Sequence, residues 1–566
     1  MRHPISPSLC GFNNSPKRLT HRLARFQACF FRQFLVFAPF GTAHSEGRPL
    51  MGVVPASASA ATAVAARFSY RGLPGVGTRS SCVAKEALVL RTRHFSHSRL
   101  LCAKSAASSN QSGADVAVLG GGAAGLTAAY FAAKSGAKVV VYERTKETGK
   151  KILMSGGARC NVLPVSARVE DFITESTPRL MKNVLASWSV DRCHAWLEQD
   201  IGLQMGIEHV SNKYFPLSNS SREVRDKLLA ACEREGVVVR YGASVESLRR
   251  IENENGDEND GGTTWALRLA DAPEEHVPVV VLAMGGLSFP AVGTDGTGYA
   301  IARRDLGHTL KEPYPALVPL TGDHPGGERL PGLSVDVILE CVGIPSVNTT
   351  GTETQKPKKP KKKKSKASRE GFLFTHRGFS GPSVLDLSHN LVRPLARENA
   401  SSNQYTDTAM DKSSPFPYLL VNWSSDTREA WQLRLTEPPG RALVSTRVRE
   451  TLPTRLAEAL LAESKIDTST KVADLKKVDR NNLLDVLTKY EIAVDGHQGY
   501  RKAEVTGGGV SLDDIEISSM ESKKADGVFF CGEVCDVFGR IGGFNFLWAW
   551  TSGRLAGLSA AKKRGY

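Results

Sequence analysis

The stretch DVAVLGGGAAGLTAAYFAAKSGAKVVVYE, residues 115–143, decides the fold. Val116 to Leu119 is a short apolar run of strand length, and Gly120, Gly122 and Gly125 follow it at G-x-G-x-x-G spacing. Ala123 to Lys134 is built of strong helix formers, Gly136 stands where a helix end is capped, and Val139 to Tyr142 returns to strand character. Glu143 closes the unit 18 residues after Gly125, where a βαβ nucleotide site carries the acid that accepts ribose hydroxyls. The first glycine permits the tight turn, the second lets backbone approach a pyrophosphate, and the third lets helix and strand pack closely. In a chain of 52 glycines the spacing alone would fit any glycine-rich loop. Strand, helix, second strand and terminal acid together point to a dinucleotide.

The rest of the composition narrows the class. The chain has 566 residues and a net charge of +15, but residues 1–112 hold 15 Lys or Arg against Glu46 and Glu86, a local +13. The remaining +2 includes eight lysines within 356–366, so without that tract the body is about six units negative. A broad basic surface for nucleic acid is therefore not expected. Residues 1–112, rich in Arg, Ser and Ala and nearly free of acid, have the composition of an organellar transit peptide, disordered before import. Their length and Ser/Ala content favour the chloroplast over the mitochondrion. Phe30 to Phe40 is broken by Arg32, so no run reaches the ~18 apolar residues of a membrane span. Cys160, Cys193, Cys232, Cys341, Cys531 and Cys535 remain beyond the presequence. None forms C-x-x-C or a zinc spacing, so neither a disulfide framework nor a metal is expected.

After the opening unit, TGKKILMSGGARCNV (148–162) is a polar loop placed to fold back over the nucleotide: Lys150, Lys151 and Arg159 bring charge, Gly156 and Gly157 allow close approach, and Asn161 can donate and accept. Residues 178–250 read as helices followed by strands, and 252–262 as an acidic loop. VPVVVLAMGG (277–286) reads as a buried strand emptying into Gly285 and Gly286. From about residue 312 prolines punctuate short apolar runs, and GFLFTHRGFSGPSVLDLS (371–388) continues in the same vein, which predicts a β-rich insertion. The tract KPKKPKKKKSK (356–366) reads as a loop, since no aromatic residues interleave its lysines to stack bases. Residues 426–495 show helical spacing. The last unit, DGVFFCGEVCDVFGRIGGFNFLWAWTSG (526–553), gives a strand, a Gly532-Glu533 turn, Gly542-Gly543 and a closing helix from Phe546 to Ala561, so both ends of the chain build one cofactor site.

LGGGAAGLTAA, KKILMSGGARCNV, AMGGLSFPAVGTDGTGYAIAR, FTHRGFSGPSVLDLS, EVTGGGVSLDDI and FFCGEVCDVFGRIGGFNFLWAWTSG together resemble the bacterial flavoproteins labelled aminoacetone-oxidase-like or BaiN-like, over about 113–562. The resemblance implies an α/β fold, a Rossmann-like FAD-binding domain built from both ends of the mature chain, with inserted β-barrel-like and helical domains. By its pattern Gly120, Gly122, Ala123, Ala124 and Gly125 would hold the FAD diphosphate, and Glu143 its ribose. Lys151, Gly157, Arg159, Cys160 and Asn161 would line the flavin, and Gly285 and Gly286 the adenine half. Gly532, Glu533 and Asp536 would face the ribityl phosphate, and Gly543, Phe544 and Asn545 the pyrimidine edge.

Boundaries follow: FAD-binding segments at 113–310 and 501–562, a β-rich insertion at 311–425 with a disordered Lys-rich loop at 350–370, and a helical part at 426–500. The expected function is an FAD-dependent oxidoreductase passing hydride between NAD(P)H or a small metabolite and an acceptor, which is an unsaturated or carbonyl compound or oxygen. With no second G-x-G-x-x-G unit, a nicotinamide would bind transiently. Cys160, lacking a nearby partner cysteine, reads as a packed side chain rather than a redox thiol. His376 and Arg377 are candidates for proton donor and anion clamp. The rivals are a flavin-dependent RNA-modifying enzyme and a non-catalytic protein that keeps FAD for structure.

Overall fold

Val116–Leu119 pairs in parallel with Val139–Glu143 on one side and Val279–Leu282 on the other, Val116 lying opposite both Val139 and Val279. All four of its residues are buried, which is why it reads as an unbroken apolar run rather than an alternating one. In this computed structural model, residues 113–251, 263–327, 329–344, 363–366, 370–402, 417–437 and 441–566 are described. The presequence, the acidic run 252–262 and most of the 350–370 segment lie outside them.

The central sheet has seven strands in the spatial order Ile515–Glu516, Glu521–Ser522, Val528–Phe530, Val279–Leu282, Val116–Leu119, Val139–Glu143, Val238–Tyr241. The last five run parallel and the first two antiparallel. Val528–Phe530 thus brings the far end of the chain beside the strands that follow the nucleotide turn. The closing helix spans Phe544–Lys563 and lies on the first helix, Ala123–Lys134. Side chains at Gly553 and Gly557 would put a Cβ 2.6 Å from the Ala124 carbonyl oxygen and 2.3 Å from that of Ala128, so only glycine permits this approach.

The intervening chain leaves through Leu310–Ala316 and returns through Val505–Val510, which pair antiparallel as a two-stranded ribbon. Between them an eight-stranded antiparallel sheet holds its own core, with Phe372, Phe374, Phe379 and Trp423 clustered at its centre. Its terminal strands, Tyr490–Ile492 and Gly496–His497, are joined by residues 493–495 alone, a span of about 14 Å at most, so the sheet curls until its ends meet. This is the barrel-like insertion, and helices Arg428–Arg434, Val444–Arg449, Thr454–Glu463 and Lys477–Thr488 lie in sequence between its strands Tyr418–Asn422 and Tyr490–Ile492.

Two expectations change. Lys363–Lys366, inside the segment read as a disordered loop, pairs as a strand with residues 340–344, because the tract returns along the edge of Ser334–Ile344. GPSVLDLS is not strand but the start of a helix, Pro382–Ser402. Pro382 takes the first helical position, where its missing N–H costs nothing, and Val384, Leu385, Leu387 and Leu391 face the core.

Candidate functional site

The glycine turn divides its work between fold and ligand. A Cβ on Gly120 would lie 2.6 Å from the Ala283 carbonyl oxygen, and one on Gly125 1.9 Å from that of Gly120, so these two glycines serve packing. Gly122 has φ −80° and ψ −174°, open to any residue, and a Cβ there would meet nothing within 4 Å. The fold does not require glycine at 122. The space above it is a cleft lined by Gly120, Gly122, Ala123 and Ala124. Glu143, Arg144 and Val245 line it too, as do Asn161, Glu504, Ile541, Gly543 and Asn545, with Gly543 packed so close to Asn161 that a Cβ would lie 3.0 Å from the Asn161 carbonyl oxygen.

Glu143 is aimed by backbone. Its Oε2 accepts from Gly121 N (2.9 Å), and its Oε1 from Thr145 N and Oγ1 (2.8 Å each), leaving the remaining lone pairs of a cleft-lining carboxylate for a ligand. The other wall comes from residues 532–549. Gly532 N donates to Ser552 Oγ (3.0 Å) and Trp548 Nε1 donates to Gly532 O (3.0 Å), which fixes the turn to the closing helix. Gly542 and Gly543, at φ +116° and +92°, bend the chain into that helix, whose first-turn amides have no acceptor within the helix.

At the centre, Lys151 Nζ meets Glu533 Oε2 at 2.5 Å and donates to Ser288 Oγ at 2.7 Å. Ser288 Oγ donates to Glu533 Oε1 (2.7 Å), which also accepts from Thr506 N (3.0 Å). Thr506 Oγ1 in turn accepts from Leu287 N and Ser288 N (2.8 and 3.1 Å). Four distant segments are thereby fastened around one cation in the cleft. Ser288 and Thr506 were not singled out in the sequence; a hydroxyl beside Gly-Gly-Gly in AEVTGGGV is a signal, but its partners lie over 200 residues away.

Of the residues expected at the site, Gly120, Gly122, Ala123, Ala124, Glu143, Lys151, Asn161, Gly285, Gly532, Glu533, Gly543 and Asn545 line this single cleft. Others do not. Gly125 lies behind the turn, and Gly286 leaves room for Thr506, since its Cβ would lie 2.4 Å from Thr506 Oγ1. Gly157, at φ +66°, opens elsewhere. Arg159 turns to Glu208 (3.0 Å) and Asn219 (2.9 Å), its guanidinium 4.1 Å from the Phe215 ring centroid. Cys160 is fully buried, and burial pushes its thiol up to about 12, which makes it a packed residue and no redox thiol. Phe544 packs edge-on against Phe172 at 5.8 Å.

Asp536 does not face the cleft either. Its Oδ2 accepts from Thr174 Oγ1, Glu175 N, Ser176 N and Ser176 Oγ (2.7–3.1 Å), so it latches residues 174–176 to the closing segment. His376 and Arg377 sit exposed in the turn between strands Glu370–Thr375 and Gly378–Ser380, away from the cleft lining. The turn demands them there: Phe374 and Phe379 on either side belong to the core of the insertion, which carries the tip outwards.

Among the described residues no group of three or more His, Cys, Asp or Glu could hold a metal, and no helix is long and apolar enough to cross a membrane. The residues present fit a dinucleotide: the open face of Gly122 leaves room for a diphosphate, Glu143 has lone pairs free to accept hydroxyls, and both line the one cleft. A family model described as the HI0933-like protein Rossmann domain matches residues 114–559. A protein of Escherichia coli (strain K12) named ribosomal RNA dihydrouridine synthase is 31% identical over 77% of this chain and 96% of its own. A Haemophilus influenzae protein of the same name is 29% identical over 79% and 98%. The 3-dehydro-bile acid delta(4,6)-reductase of Clostridium scindens is 27% identical over 79% and 99%. With its nucleotide turn, preset acid and cleft walled by both ends of the chain, this chain belongs to the HI0933-like Rossmann-domain family of FAD-binding oxidoreductases.

Proposed function

We propose that the protein is a flavin-dependent reductase that saturates a carbon–carbon double bond conjugated to a carbonyl. The observation that carries this reading is the single cleft, whose lining joins the nucleotide turn and Glu143 to polar and acidic residues and to Glu504 and Val505 at the start of the insertion's return strand. Gly122 and the first-helix N-terminus would take the FAD diphosphate, Glu143 the ribose, and the first-turn amides after Gly543 the pyrimidine edge of the ring. Bound FAD would supply two-electron hydride chemistry. The chain's own residues position it: Lys151, fixed by Glu533 and Ser288, holds positive charge in the cleft, and the apolar faces of Trp548 and Ile541 exclude water. The names of the relatives support the bond type, since dihydrouridine is a uracil nucleoside saturated at its conjugated double bond and a delta(4,6)-reductase acts on conjugated double bonds. The test is anaerobic. NADH or NADPH should bleach the bound flavin, and 2-cyclohexen-1-one or a uridine-containing RNA should restore it with a gain of two hydrogens by mass. A flavin that no nicotinamide reduces would refute the reading in favour of a structural FAD.

One observation favours a nucleic-acid substrate within this chemistry: two relatives named for ribosomal RNA align over nearly their whole length. RNA binding that weakens with salt and is lost on deleting residues 356–366 would support it. Binding of no RNA at low salt would remove it. We also infer from composition that residues 1–112 direct the chain to an organelle, the plastid before the mitochondrion. A fluorescent fusion of these residues that stays in the cytosol would overturn this.

A further inference from the structure

Of the acids that line the cleft, Asp295 pairs with Arg144, and Glu147 and Glu504 have carboxylates that no described residue bonds; Glu147 sits in the loop just after Glu143, while Glu504 has Lys151 and Lys213 as its charged neighbours. Glu504 precedes the return strand Val505–Val510 and its side chain opens onto the cleft. Glu143 is held by three donors, and Glu533 is occupied by Lys151, Ser288 and Thr506. The Glu504 carboxyl accepts no hydrogen bond from any described residue, and its side chain is open to solvent through the cleft. Its charged neighbours are Lys151, Asp386 and Lys213, and Asp386 accepts from the cleft-lining Ile541 N (2.7 Å), just ahead of the closing helix. If the ribose lies at Glu143 and the diphosphate at Gly122, the ring of the cofactor lies beyond, among Asn161, Gly543 and Glu504. Lys213 lies against the same segment: a Cβ on Gly542 would sit 2.3 Å from its Cε.

We propose that Glu504 is the proton donor of the reduction, delivering its carboxyl proton to the substrate carbon next to the carbonyl. This rests on the double-bond reductase reading. The substrate's β-carbon receives a hydride, the π bond breaks, and its electron pair moves towards the carbonyl. The α-carbon then takes the proton from the Glu504 carboxyl, forming the second C–H bond, and Glu504 regains a proton from water. Two electrons pass from a nicotinamide reductant to the substrate in all. Burial raises the carboxyl above the ordinary glutamate value and Asp386 raises it further, while Lys151 and Lys213 pull it down, so a proton is held here more readily than on an exposed glutamate.

The experiment uses the FAD-loaded full chain and its Glu504→Gln and Glu504→Asp variants. Each is reduced by NAD(P)H and reoxidised in separate stopped-flow shots by 2-cyclohexen-1-one, which needs a proton at carbon, or by ferricyanide, which takes electrons alone. The ratio of enone to ferricyanide rate should fall about a hundredfold in Glu504→Gln and recover in part in Glu504→Asp. An unchanged ratio overturns the proposal while leaving the reductase reading intact. A second arm titrates the oxidised flavin with sulfite at pH 8.5, where loss of the carboxylate's negative charge should tighten the adduct roughly tenfold. Unchanged sulfite affinity places Glu504 away from the ring and also overturns the proposal. Wild-type protein that is coloured but ignores the enone, with uridine as the second probe, overturns the reductase reading and the proton donor with it. Colourless protein overturns the cofactor assignment itself.

Discussion

Replacing Gly122 and Gly125 separately by alanine distinguishes a ligand's glycine from a fold's. At Gly125 the new Cβ would lie 1.9 Å from the Gly120 carbonyl oxygen and 3.2 Å from Ala283 Cβ. Both obstacles belong to the turn and strand beneath the first helix, so the helix must lift by more than an ångström. Overpacking of that kind costs about 1–3 kcal/mol, here at the upper end because the obstacle is backbone. At Gly122 the backbone angles suit alanine, and nothing stands within 4 Å. The apo-protein should lose at most about 1 kcal/mol, the cost of alanine at an N-cap. The methyl instead occupies the space of the diphosphate, and a loss of about 1.4–2.8 kcal/mol predicts FAD binding weakened roughly 10- to 100-fold. The assay pairs thermal unfolding of the apo-protein with FAD titration by flavin fluorescence. Gly122→Ala should unfold near the wild type and bind FAD poorly, and Gly125→Ala should unfold several degrees lower. Wild-type FAD affinity in Gly122→Ala would refute the placement of the diphosphate.

Arg540 ties three segments together through Asp386 (3.0 Å), Glu370 (3.3 Å) and Asp171 (3.4 Å). Arg540→Ala leaves the buried Asp386 without its cation and should cost about 3 kcal/mol in urea unfolding, against a negligible change if the cluster is a surface ornament. Asp536→Ala strands the amides of Glu175 and Ser176 and should cost about 2–4 kcal/mol, with Asp536→Asn losing less. Because Asp536 is absent from the cleft lining, FAD affinity of the folded variant should stay within about threefold of wild type; a larger loss would return Asp536 to the cofactor. Burial pushes His308 and His389 down from 6.5 to about 4, so the unfolded chain takes up protons that the fold refuses, and their contribution is lost as pH falls below 6.5. Burial pushes Asp386 and Asp536 up from 3.8 to about 6, so their contribution is lost as pH rises towards 6. The two slopes oppose each other. Asp386→Asn should therefore steepen the fall in stability from pH 6.5 to 4.5, and an unchanged slope would show that Asp386 is ionised in the fold at acid pH.

The opening βαβ unit was legible because its signals are local: strand, turn and helix lie within 29 residues, and Glu143 reaches back to Gly121, 22 positions away. The closing wall was legible for the same reason, as a strand and a helix flanking glycines. What the sequence hides is the direction in which an isolated polar side chain turns. Asp536 stands in an acidic, glycine-bearing segment beside Glu533, yet its partner Ser176 is 360 residues earlier and draws it out of the cleft. Arg159 has the charge for a diphosphate, but Glu208 and Phe215, on a hairpin folded against its loop, claim the guanidinium. Glu504 opens the motif EVTGGGVSLDDI, but the motif does not say which way its carboxylate turns; the pairing of the following strand, Val505–Val510, with Leu310–Ala316 sets its place in the cleft lining. Helix Pro382–Ser402 was missed because GPSVLDLS, read over eight residues, lacks the length that separates a helix from a strand.

The central claim is that both ends of the chain build one FAD site, and equilibrium titration of the purified apo-protein with FAD tests it most directly. One FAD per chain is expected, with affinity weakened about tenfold or more by Glu143→Ala at one wall and by Gly543→Val at the other, where a Cβ would meet Leu163 backbone at 2.6 Å. Absence of FAD binding by the wild-type chain, or weakening at one wall only, would contradict it.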